Sequence, residues 1–101
     1  MVLTEFVSEA ARLHAIVRGD VQGVGFRYWI ADQARDAGLA GWVRNLPDGS
    51  VECLAEGPRA RLDELAELLR RGPSSAEVEE VELEWREAAH DLERFQIRGW
   101  G

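Results

Sequence analysis

The sequence predicts a two-layer α+β sandwich, one sheet with two helices on a single face, and three observations predict it. Residues 11–18 and 76–87 alternate apolar with charged side chains, the period of a half-buried strand. Residues 26–37 and 59–71 contain neither Gly nor Pro and space their apolar residues as helices do. Turn-forming clusters at 19–25, 47–49 and 72–75 separate these stretches. The resulting order is β-α-β-β-α-β with a short fifth strand. Helices that return the chain to one sheet share a face, and right-handed crossovers set the first strand beside the third at the centre of an antiparallel sheet.

Residues 1–10 are expected to be a flexible arm ahead of a single domain, 11–101. The first strand, 11–18, sets Leu13, Ala15 and Val17 against Arg12, His14, Ile16 and Arg18. A helix over 26–37 turns Phe26, Ile30, Ala34 and Ala37 to the core and stops at Gly38, its C-cap. Tyr28 and Trp29 can line a binding surface, but packing against the sheet is the role assigned to them. The second strand, 40–46, and the third, 50–56, form a hairpin about Pro47-Asp48-Gly49. Gly57-Pro58 then opens the second helix, 59–71, whose stripe of Leu62, Leu65, Leu68 and Leu69 is core. The fourth strand, 76–87, alternates Val81, Leu83 and Trp85 with charged residues that discourage edge pairing. His90-Asp91 turns the chain into a fifth strand at 94–98, carrying Phe95 and Ile97.

A chain of 101 residues forms one modest core. Its net charge of −7 argues against a nucleic-acid partner. The single cysteine, Cys53, excludes an intrachain disulfide and lies in an alternating apolar stretch, so it reads as core. His14 and His90 lack ligand spacing, so no metal site is expected. No signal peptide is recognisable in residues 1–11, and no apolar run approaches the length of a membrane span. A cytoplasmic monomer without a cofactor is the resulting expectation.

Chemistry concentrates at Gly19-Asp20-Val21-Gln22-Gly23-Val24-Gly25-Phe26-Arg27. Glycines in a strand-to-helix turn permit positive φ and leave main-chain N–H groups unshielded. Such donors at a helix N-terminus attract an anion, and Arg27 can add a planar fork of donors. On spacing alone, a tight structural turn is an equal alternative. Two better-known phosphate motifs fail. The chain has no lysine for a P-loop, and Tyr28 stands where a dinucleotide fingerprint starting at Gly23 needs a small residue.

These nine residues resemble the phosphate-loop signature of the acylphosphatase family. Gly41-Trp42-Val43-Arg44-Asn45, followed by Gly49, Val51 and Gly57, is similar to that family's second signature. Together with the element order, the resemblance covers residues 11–98. It implies a ferredoxin-like βαββαβ sandwich that hydrolyses acyl phosphates to a carboxylate and inorganic phosphate without metal, as a small free-standing enzyme. By motif match, Arg27 and the backbone N–H groups of Val21, Gln22, Gly23, Val24, Gly25, Phe26 and Arg27 hold the phosphoryl group. Asn45 orients the attacking water. Inorganic phosphate is then both product and competitive inhibitor. The acyl end stays open among carbamoyl phosphate, acetyl phosphate and 1,3-bisphosphoglycerate. A regulatory anion-binding module and an RNA-binding sheet are rivals; the first needs no water-positioning amide, and the second needs a basic, aromatic sheet surface. The tail departs from the family pattern, because Gly99 stands where an aromatic residue is more usual and Trp100 follows one position later.

Overall fold

The computed structural model describes residues 9–99. The expected arm lies outside the described residues except for Glu9 and Ala10, and Ala10 already belongs to the first strand. Seven elements follow: β1 (Ala10–Asp20), α1 (Phe26–Asp36), β2 (Ala40–Asn45), β3 (Val51–Pro58), α2 (Arg59–Arg71), β4 (Glu77–Glu87) and β5 (Gln96–Ile97). The sheet order is β4-β1-β3-β2-β5, so β1 and β3 hold the centre as expected.

One core joins the inward row of β1 (Leu13, Ala15, Val17) to Val43, Val51, Cys53 and Ala55 of the hairpin. Phe26, Ile30, Ala31 and Ala34 of α1, with Leu62, Leu65, Ala66 and Leu69 of α2, complete the same cluster, so both helices cover one face. Leu68, expected in that stripe, is only half-buried. Cys53 is fully enclosed, and burial pushes its thiol up to about 12, which makes it packing material and not a nucleophile. Gly38 follows the cap residue Ala37 with φ 71°; its N–H reaches Arg35 O and that of Leu39 reaches Ala34 O, the paired bonds of a Schellman end.

Two features differ from expectation. The first is β1, which runs through Gly19 to Asp20 because a bulge at Arg18/Gly19 lets it keep pairing with β4. A Cβ on Gly19 would stand 2.2 Å from Glu77 O, so this glycine serves strand approach. The second is β5, which is only two residues long and pairs parallel to β2, making the sheet mixed. The reason is geometric. β4 is antiparallel to β1 and ends at the sheet end remote from the start of α1, so the chain must cross that end and climb beside β2. Glu56 anchors the crossing: it is 7% exposed and accepts the N–H groups of Ala89 and His90 and the Nε of Arg12, each at 2.9 Å. Burial alone would raise the Glu56 carboxyl, but these donors outweigh it and hold it below its usual range.

Candidate active site

The cradle occupies the other end of the sheet, between the end of β1 and the start of α1. Gly25 caps α1 in the left-handed region (φ 77°, ψ 14°), and Gly23 has a matching φ of 76°. The first helical main-chain bond runs from Trp29 N–H to Gly25 O, and helix geometry offers no intrahelical acceptor to amides of the first turn. No side chain caps this N-terminus and no acidic residue sits in its first turn. Its positive end is therefore open to an exogenous anion.

A cavity of about 160 Å³ lies over this opening, lined by Val21, Gly23, Gly25, Phe26, Arg27, Tyr28 and Asn45. The structure thus brings the expected arginine and asparagine, from different elements, to one hollow. Arg27 is half-buried, and its Nη1 donates to Arg98 O at 3.4 Å, a long hydrogen bond. Asn45 closes β2 opposite Val51, and its side-chain oxygen is buried. The β2–β3 turn is capped by Asp48. Asp48 Oδ1 accepts the N–H of Ser50 at 2.9 Å and its hydroxyl at 2.5 Å, and these bonds hold the carboxyl below its usual range.

Gln22 and Val24 do not line the hollow. Gln22 Nε2 donates to Leu46 O and Ser50 O, both at 2.8 Å, and so straps the cradle to the β2–β3 turn that follows Asn45. Val24 packs partly against the core, and its carbonyl accepts the Ser75 hydroxyl at 3.0 Å. The cradle is therefore braced from two sides by contacts that spacing did not suggest. Tyr28 does not pack on the sheet; it is 65% exposed at the cavity rim, while Trp29 meets Phe26 at 5.8 Å between ring centroids. Helical periodicity carried that signal, since a residue two places after buried Phe26 points well away from the core.

Neither histidine approaches the hollow. His14 lies on the helix-free face of the sheet, with Nε2 2.7 Å from Glu52, and His90 belongs to the crossing at the remote end. Among the described residues, no three His, Cys, Asp or Glu side chains gather as metal ligands. No helix of the described residues is long and apolar enough to cross a membrane.

Comparison with known proteins agrees with this architecture. The family model described as Acylphosphatase matches residues 13–97. An acylphosphatase of Anaeromyxobacter sp. (strain Fw109-5) is 46% identical over 92 residues, covering 91% of this chain and 99% of that protein. One from Moorella thermoacetica is 51% identical over 87 residues, covering 86% and 92% respectively. The crystal structure of acylphosphatase from Bacillus subtilis superposes with a TM-score of 0.84 at 38% identity, covering 88% of this chain and 99% of that one.

Proposed function

The chain belongs to the acylphosphatase family of hydrolases, which cleave the carboxyl-phosphate bond of acyl phosphates, and on that premise we propose how its own residues do so. The phosphoryl group sits at the open N-terminus of α1, held by the amides of 21–27 and by the guanidinium of Arg27. Asn45 holds a water in line with the bond to be broken. The water oxygen bonds to phosphorus as the carboxylate leaves with the bonding pair, and the water's proton passes to a phosphoryl oxygen of the substrate. No general acid is required, because a carboxylate of low pKa is already a good leaving group. The demand is for charge on the equatorial oxygens to be met and for the water to be aligned. A preorganised set of amides with one guanidinium meets the first, as an oxyanion hole does. An amide side chain can accept from water while donating to phosphate, which meets the second.

The observation that carries this reading is the meeting of Arg27 and Asn45, from α1 and β2, at one hollow over an uncapped helix N-terminus. A metal-independent cytoplasmic monomer belongs to the same reading. The test is release of inorganic phosphate and benzoate in equal amounts from benzoyl phosphate, with a chelator present. Equal release at a rate well above the uncatalysed one is expected. Phosphate binding without turnover would make the chain an anion-binding module instead, and turnover abolished by the chelator would end the metal-independent mechanism.

A further inference from the structure

The hollow over α1 is lined from two sides. Asn45 enters from the sheet: on β2 it shares the parity of Val43, which is fully buried in the core beneath the helices. Tyr28 enters from the opposite side. It stands two residues after Phe26 and two before Ile30, both buried, and about 200° of helical rotation from Phe26 turns it away from the sheet. Among the described residues Tyr28 is the one large hydrophobic side chain left exposed, and no aromatic ring or guanidinium lies over it. Val21 and Phe26, which also line the hollow, are buried and offer a guest little surface. The glycines offer none beyond their main chain. Apolar contact at this site therefore falls to Tyr28.

In-line displacement places the attacking water and the departing oxygen on opposite sides of phosphorus. A water held by Asn45 lies on the sheet side, so the acyl oxygen leaves on the outward side, where Tyr28 stands. We propose that the Tyr28 ring is the acyl-recognition surface of this site, and that it selects acyl phosphates whose acyl group is flat and aromatic over small ones such as acetyl. This rests on the proposed hydrolytic reading, with the phosphoryl group on the amides of 21–27 and the water on Asn45. An exposed phenol ring offers an aroyl group a face or an edge to pack against, and an acetyl group has no ring to answer it.

The experiment compares benzoyl phosphate with acetyl phosphate in the parent, Tyr28→Ala and Tyr28→Phe. Comparing the ratio of their kcat/KM values across variants cancels the differing intrinsic reactivities of the two substrates. In Tyr28→Ala the ratio is expected to shift against benzoyl phosphate by about three- to tenfold, the range for one aromatic pair. Tyr28→Phe keeps the ring and is expected to hold the parent's ratio. Inorganic phosphate, which has no acyl end, is expected to bind all three proteins alike. A shift below about twofold in Tyr28→Ala, or a loss shared equally by both substrates and by phosphate binding, would overturn the proposal. Should Tyr28→Ala fail to fold, Tyr28→Gln removes the ring with a good helix former and decides the same question. The preference is also read without turnover, from the dissociation constants of benzoylphosphonate and acetylphosphonate, whose acyl carbon is bonded directly to phosphorus. A parent that binds both phosphonates and hydrolyses neither phosphate would sink the hydrolytic reading, while the binding ratio still decides the role of Tyr28.

Discussion

In the proposed mechanism Arg27 and Asn45 divide the work between holding charge and aiming a nucleophile, and their variants are expected to fail differently. Arg27→Ala removes the only side-chain cation that lines the hollow among the described residues, so kcat/KM is expected to fall roughly 10³-fold, as when an arginine finger is lost. Arg27→Lys recovers little, because an ammonium cannot reproduce a planar fork across two oxygens. A Lys variant within tenfold of the parent would show that point charge suffices. Asn45→Ala is expected to lower kcat while inorganic phosphate binds as before, measured by steady-state kinetics and product inhibition. Weakened phosphate binding would instead make Asn45 a ligand. The sequence exposed both residues because their roles need particular side chains within recognisable signatures. It concealed one partner of Arg27, since a main-chain carbonyl at residue 98 leaves no trace in residue type. Gln22 was visible as a member of the loop signature, but the signature gave no sign that its side-chain amide straps the loop to the neighbouring turn.

Among the elements, the crossing from β4 to β5 depends most on ionisation. Glu56 and Glu52 both have carboxyls held below their ordinary value of 4.5. For Glu52, burial pulls upward, but hydrogen bonds from His14 and Arg44 prevail. Carboxyls with depressed native pKa values favour folding in full above about pH 4.5, and that contribution is lost as pH falls through the depressed values. Denaturant midpoints are therefore expected to drop between about pH 5 and pH 3. Glu56→Gln is expected to be less stable at neutral pH, since Arg12 loses its buried partner, yet to lose less across the acid window. A variant as acid-sensitive as the parent would move the origin of the effect away from the crossing. The direction of β5 was hidden from sequence reading for a related reason. Its two-residue ladder is too short to declare an orientation, and only the anchored crossing decides where the strand begins.

At the scale of the molecule, a net charge of −7 opposes the approach of a doubly charged substrate. Salt screens that repulsion over about 10 Å at 0.1 M, while amides inside a small hollow are screened less. The kcat/KM for acetyl phosphate is thus expected to rise about two- to threefold between roughly 10 and 150 mM of a salt whose anion does not compete for the cradle. A fall instead would mean that a locally positive field governs encounter. The sheet register carries one more consequence, for how fast the chain reaches this state. Only the β2–β3 hairpin joins neighbours in sequence; β1 must find Pro58 opposite Ala10 and Glu87 opposite Ala11 before its centre closes. Such distant pairings make the search slow, so refolding from urea is expected to take milliseconds to seconds, with the hairpin as the one strand pair able to form ahead of the others.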